Sequence, residues 1–337
     1  MIRIKQNNHF LFCLLLASLI ASLSACSFNR RLNKVSEYEI GDVENIVVQG
    51  DFAYLANGHN GFGILDVSNP LSPTVVSQYP LSSYTQEISI SSKYAFVVNQ
   101  KLGLYIFDVS DPTSPNLIGN YDKPGNMISI HDDHAYYITS RSSVITKGPR
   151  VMEVLDISDP STPLAVGLYD VNKLEDGSSV NYVATENNFA YVSVSQSGVK
   201  ELRILDISEP AEPIEIGSVD LLGPFYDSVQ KDNYLYLANG NRLTIVDIMD
   251  RKSPKIASST TLKDSLFLAN EIEVEDNYAY ISDVWSIRVI DITNPEDPFE
   301  VALYKFDQAG DVALVKDYLY ALEDWTWKGI MIFEKPE

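Results

Sequence analysis

GILDVSNP (63–70), YIFDVSDP (105–112), EVLDISDP (153–160), RILDISEP (203–210), TIVDIMDR (244–251) and RVIDITNP (288–295) are six copies of one element, and MIFEKP (331–336) is a shortened seventh. The shared acid stands at Asp66, Asp108, Asp156, Asp206, Asp247, Asp291 and Glu334, at spacings of 41 to 50 residues. A second stretch precedes each copy: FAYLAN (52–57), YAFVVN (94–99), HAYYIT (134–139), FAYVSV (189–194), YLYLAN (234–239), YAYISD (278–283) and YLYALE (318–323). Both are rich in β-branched and aromatic residues and are bounded by Gly, Asn, Asp or Pro, the pattern of short strands. A third strand leads each unit, as in NIVVQ (45–49) or EISIS (87–91). A fourth closes it, as in PNLIGNY (115–121) or PLAVGLY (163–169). No segment carries a sustained helical period.

Four short strands in about 45 residues, repeated seven times, predict an all-β, seven-bladed β-propeller. An open stack of such sheets would need polar caps at its ends, and none is visible, so the ring should close. The seventh unit supplies three strands, Asp311 to Phe333. Its missing fourth is available in Val35-Ser36-Glu37-Tyr38-Glu39-Ile40, whose alternating apolar positions suit a strand. The propeller is therefore assigned to 35–337, its last blade closed by the N-terminal strand.

The acids at Asp66, Asp108, Asp156, Asp206, Asp247 and Asp291 have a structural explanation. A short carboxylate at a strand end can accept hydrogen bonds from the following turn. The Pro-x-x-Pro spacing, as in Pro70/Pro73 or Pro210/Pro213, fixes two φ angles and removes two donors. With the aromatic strands and the acid–turn–proline element, the chain resembles the LVIVD-repeat β-propellers of bacterial and archaeal surface proteins. LTIVD (243–247) and RVIDI (288–292) come nearest to the pentapeptide itself. The resemblance spans residues 35–337 and implies a propeller on an exported or anchored protein.

The N-terminus reads as an export signal. Arg3 and Lys5 precede an apolar run from Phe10 to Ala21, too short for a stable membrane span. Leu23-Ser24-Ala25-Cys26 resembles the lipobox of bacterial lipoproteins. Residues 1–25 are thus expected to be a lipoprotein signal peptide, and 26–34 a lipidated Cys26 with a short tether made basic by Arg30, Arg31 and Lys34. The one other cysteine, Cys13, lies in the signal, so no disulfide is expected. The covalent lipid (palmitate among its acyl chains) is the only attached group anticipated, with no cofactor and no metal. Ser27 after the lipidated cysteine, by resemblance to lipoprotein sorting, favours the outer membrane or cell surface.

A formal charge of −21 argues against nucleic acid as a partner. Aligning the units places Asn45, Glu87, Met127, Tyr182, Asp227, Glu271 and Asp311 in one column near the start of the innermost strand. Its four acids could line a funnel for a cationic group, or be plain solvated carboxylates. Trp285, Trp325, Trp327 and His59 fall in loops between second and third strands, where flat rings can stack on a sugar or peptide. The longest such loop, Thr139 to Val151, carries Arg141, Lys147 and Arg150. Nucleophile-elbow, metalloprotease and phosphate-loop motifs are absent. The leading expectation is a monomeric, membrane-anchored envelope lipoprotein whose propeller binds an envelope protein or polysaccharide. The alternative is a carbohydrate-active hydrolase or lyase using Glu87, Asp227, Glu271 and Asp311.

Overall fold

The computed structural model describes residues 32–140, 150–171, 178–196, 198–262, 269–305, 309–323 and 329–336, and within them every secondary-structure element is a strand apart from turns. Strand β1 (Asn33–Glu39) comes first. Four-stranded blades follow in chain order: β2 (Asn45–Gln49), β3 (Phe52–Ala56), β4 (Phe62–Asp66), β5 (Thr74–Tyr79); then β6 (Thr85–Ser91), β7 (Tyr94–Asn99), β8 (Gly103–Asp108), β9 (Asn116–Tyr121). The third and fourth blades are β10 (Gly125–His131), β11 (His134–Ser140), β12 (Arg150–Asp156), β13 (Leu164–Tyr169) and β14 (Ser179–Glu186), β15 (Phe189–Gln196), β16 (Val199–Asp206), β17 (Ile214–Leu221). The fifth and sixth are β18 (Phe225–Lys231), β19 (Tyr234–Asn239), β20 (Arg242–Asp247), β21 (Lys255–Thr261) and β22 (Ala269–Glu275), β23 (Tyr278–Asp283), β24 (Ser286–Asp291), β25 (Phe299–Lys305). The last combines β26 (Ala309–Val315), β27 (Tyr318–Glu323) and β28 (Gly329–Glu334) with β1 as its outermost strand. Each inner strand neighbours the next, and β26 returns to β2, so seven blades close into a ring.

Closure uses the N-terminal segment, in a strand that starts two residues earlier than the sequence pattern suggests. β1 runs antiparallel to β28 from Asn33↔Glu334 to Glu39↔Gly329. Val35, Tyr38 and Ile40 pack against a core shared by the last and first blades, which includes Leu55, Leu65, Tyr320 and Ile332. Other core clusters likewise span two adjacent blades, so apolar burial is concentrated in the seams. The second strands are buried on both faces, as FAYLA and YAFVVN require when each sheet is sandwiched between two others.

The turn after each third strand is held by its acid. Asp66, Asp108, Asp156, Asp206, Asp247 and Asp291 each accept the main-chain N–H two residues on through Oδ1, at 2.8 to 3.0 Å. Side-chain bonds from Ser68, Ser158 and Ser208, and then these main-chain bonds, hold the Asp66, Asp156 and Asp206 carboxyls below the usual range. At Asp108, bonds from Ser110 and Lys93 bring the value down to about 2.

The proline turn also clamps the preceding blade. Ser77 Oγ donates to the carbonyl of Pro112 (2.8 Å), and Ser258 Oγ to that of Pro295 (2.7 Å). At the corresponding places Gly119, Gly167 and Gly217 lie so close to the next turn that a Cβ would sit 2.1, 2.7 and 2.1 Å from the carbonyl oxygens of Pro160, Pro210 and Arg251. Only a small residue fits there. In the closing seam Tyr320 Oη donates to Pro70 O (2.5 Å). The ring therefore has one uniform face of proline turns and one face of varied loops between second and third strands.

Candidate functional site

All seven column residues, Asn45, Glu87, Met127, Tyr182, Asp227, Glu271 and Asp311, line a cavity of about 280 Å³ at the ring's axis. In five of the inner strands the register shifts immediately before the column residue, as between Thr85 and Glu87 or Phe225 and Asp227, and in the last blade the shift from Ala309 to Val312 spans Asp311. Such a bulge re-aims the side chain that follows it.

The four acids divide into two pairs with different surroundings. Asp311 Oδ2 accepts from the N–H of Ile46 and from Asn45 Nδ2, each at 2.8 Å, and its Oδ1 accepts from the N–H of Val312 at 2.6 Å. Asp227 Oδ1 accepts from Tyr182 Oη (2.6 Å) and the N–H of Ser228 (2.7 Å), while its Oδ2 accepts from the N–H of Ile272 (2.8 Å). Asn45 Oδ1 accepts from the N–H of Ile88 (3.0 Å), and Tyr182 Oη accepts from that of Ser228 (3.1 Å). In each case a column side chain reaches the residue after the column position in the next blade. Asn45, Tyr182, Asp227 and Asp311 are thus staples across four seams.

Glu87 and Glu271 are one methylene longer and make no such main-chain bond; both project into the channel. Part of each side chain is open to the cavity, but protein surrounds it on every side, and this desolvation raises both carboxyls well above their usual range. The charges of Asp227 and Asp311 raise them further, and Glu271 also shares a hydrogen bond with Asp227. Asp311 is pushed up to about 7 by the same desolvation, against the lowering effect of its main-chain bonds. Glu273, which the column alignment does not include, lines the same cavity and is pushed up to about 8, first by desolvation and then by Asp227 and Asp311. The period-2 rule applied to Glu271 would have found it.

Across the mouth the chemistry changes. Tyr226 lines the cavity and is exposed; Arg150, outside the cavity lining but within electrostatic reach of Tyr226, is held by the fourth blade. Arg150 Nη2 donates to Asn181 Oδ1 (2.6 Å), and Asn126, with its amide oriented to accept, lies 3.0 Å from Arg150 Nη1. Burial pulls this guanidinium below its ordinary value. Behind the column, the buried hydroxyls of Ser193 and Ser282 stand opposite Tyr182 and Glu271 on the next strands, with no hydrogen-bond partner among the described residues. Among the described residues no group of three or more His, Cys, Asp or Glu could hold a metal ion.

The remaining candidates are spread over the loop face. Trp285 occupies the two-residue turn between β23 and β24, partly exposed, its N–H donating to Asp283 Oδ1 (2.9 Å). His59 packs edge-on to Tyr84, ring centroids 4.9 Å apart, in a separate cleft between the first two blades lined also by Ser82, Ser83, Gln100 and Lys101. The structure thus separates His59 and Trp285 from the channel. Trp325, Trp327, Arg141, Lys147 and Cys26 lie outside the described residues.

No curated protein matches the chain in sequence. Among solved structures it resembles the β-propeller domain of Myceliophteria thermophila Cps50 (Swd1), with a TM-score of 0.69 at 11% identity, covering 90% of this chain and 100% of that one. Saccharomyces cerevisiae Sqt1 is similar at a TM-score of 0.59 and 9% identity, covering 90% of this chain and 88% of that one. The computationally designed Ika8 protein reaches 0.61 at 7% identity, covering 90% of this chain and 100% of that one. These likenesses concern the fold alone. In sequence, the LVIVD repeat matches residues 40–80, 82–123, 151–171, 177–221, 229–261 and 268–305, well over half of the chain. The chain belongs to the LVIVD repeat family.

Proposed function

We propose that this protein is an exported lipoprotein, held by lipid on Cys26 at the outer membrane or cell surface, whose propeller binds a protein or carbohydrate of the cell envelope on its loop face. A repeat propeller of this family is suited to be an interaction module. The observation that carries the choice of face is the asymmetry of the ring. One face repeats the same proline turn. The other holds an axial cavity lined by Glu87, Glu271 and Tyr226, with Arg150 held nearby through Asn181. Protonated carboxyls, amides and a phenol can all hydrogen-bond to hydroxyl-rich or amide-rich ligands.

The test is binding of labelled protein to an array of envelope glycans and to isolated envelope proteins. The parent is compared with the pair Glu87→Gln/Glu271→Gln and with Trp285→Ala. A drop in affinity of about tenfold in either, with folding intact, is expected for residues worth roughly 1.4 kcal/mol. Unchanged binding by both variants overturns the assignment of this face. A second reading has its own support: carboxyls raised as Glu87 and Glu271 are could donate a proton near neutral pH, as a glycosidic acid must. Polysaccharide turnover lost in the Glu pair would favour that hydrolase or lyase.

A further inference from the structure

We infer that the proline-turn face rests against the lipid surface that holds the anchor, and that it contacts zwitterionic rather than anionic headgroups. The inference rests on the anchoring proposed above, but its evidence is separate.

The direction of β1 sets the geometry. Asn33 pairs with Glu334 and Glu39 with Gly329, so the chain enters blade seven at the end where Tyr318 pairs with Glu334. That end belongs to the proline-turn face: Ser36 Oγ donates to Leu71 O (3.3 Å), and Lys316 Nζ to Ser68 O (2.8 Å), both in the first proline turn. Seven residue steps separate Cys26 from the start of β1 at Asn33, and seven residues span at most about 25 Å fully extended. A lipid on Cys26 therefore holds this face, and not the loop face, near the bilayer.

The same rim carries large apolar side chains in water. Met249 sits in a turn at 71% exposure, with Leu71 in another. Leu164, Ile214 and Phe299 each open an outer strand just past a turn, at 64, 61 and 57%. They come from five different blades, so they lie around the ring and are not one patch. Single exposed apolar residues are ordinary; a circle of them on the face where the tether leaves is what shallow insertion between headgroups requires.

Charge selects the lipid. Asp66, Asp108, Asp111, Asp156 and Asp159 all stand in these turns, and the bonds that hold them keep their carboxyls below the usual range. They remain ionised at neutral pH; Asp108 is paired with Lys93 (3.1 Å), and the others repel anionic headgroups and can pair with the ammonium of an ethanolamine headgroup.

The test places an environment-sensitive fluorophore on Met249→Cys, and in a second protein on Leu222→Cys, which lies past the far end of β17 on the loop side at 77% exposure. The acylated full chain is reconstituted into phosphatidylethanolamine/phosphatidylcholine vesicles, and the unsubstituted chain reports any background labelling. The emission at position 249 should move to the blue and brighten, with no change at 222. Vesicles enriched in phosphatidylglycerol should reduce the shift at 249. Protein that floats with the vesicles but shows no shift at 249 overturns the contact and leaves the anchor standing. Protein that does not float overturns both. An undiminished shift on phosphatidylglycerol overturns the choice of headgroup.

Discussion

Asp311 in the last blade accepts the main-chain N–H of Ile46 in the first, Oδ2 to N at 2.8 Å, so the two ends of the ring are joined at the axis as well as at the rim. The equivalent bond from Asp227 to Ile272 joins blades five and six. Where the column residue is Asn45 or Tyr182, an amide oxygen or a phenol performs the same task. The acidity of the channel is therefore partly architectural, and this separates the acids experimentally.

Asp311→Ala removes an acceptor from three donors, two of them buried main-chain N–H groups. Each orphaned buried donor costs about 1–3 kcal/mol, so a loss of roughly 3 kcal/mol is expected in chemical denaturation. Glu87→Gln, which touches no main-chain donor, should change stability far less. Equal denaturation midpoints for Asp311→Ala and the parent would contradict the staple.

The sequence made the strands, their number and the closing segment legible because each is a local pattern repeated seven times. FAYLAN and its relatives announce a doubly buried strand wherever they occur. The repeat phase also led to the seven axial positions. What it could not show is how Asp and Glu differ there, since that depends on a one-methylene difference in reach to a neighbouring blade some 45 residues away in the chain. The proline turn was legible as a turn but not as a clamp. The signal was present, however, in the run of small residues Ser77, Gly119, Gly167, Gly217 and Ser258 at one place in the fourth strands.

The channel should make stability fall as pH rises. Asp311 moves from an ordinary 3.8 to about 7, and Glu273 from 4.5 to about 8, with Glu87 and Glu271 also raised. The folded ring thus binds more protons than the unfolded chain between these values. The associated stability is complete below about pH 4 and is lost as pH climbs toward 8. The turn carboxyls, held below their usual range, act in the opposite sense at lower pH, so the decline should show between pH 5 and 8. Glu273→Gln should raise Tm at pH 8 and flatten the profile. A melting temperature that rises steadily across that interval, or a Glu273→Gln variant with the parent's slope, would refute the assignment.

Removing β1 should expose the edge of β28 and the side of the core that Val35, Tyr38 and Ile40 cover. Half-burial of three apolar side chains amounts to roughly 3 kcal/mol, and the bare edge invites strand pairing between molecules. A chain beginning at Gly41 is expected to melt lower and aggregate, while one beginning at Leu32 keeps the parent's Tm. Equal melting for the two would show that the ring does not depend on its N-terminal closure.

Cys26 is the last element to test, and it carries all of the proposed anchoring. The segment Arg30-Arg31 with Lys34 is basic, and cations near anionic lipid contribute only about 1 kcal/mol each. By itself such a tether would not hold a protein of charge −21 on a membrane. Acyl chains contribute about 0.8 kcal/mol per buried methylene, and stable attachment takes more than one chain, which a diacylglycerol thioether supplies. Cys26→Ser should therefore abolish palmitate labelling and move the protein from the membrane to the aqueous fraction in detergent partitioning. Replacing Arg30 and Arg31 with Glu should weaken retention only slightly. A Cys26→Ser protein that stays with the membrane would mean that some other part of the chain binds lipid. The proline-turn rim around Met249 and Phe299 would then be the first place to substitute.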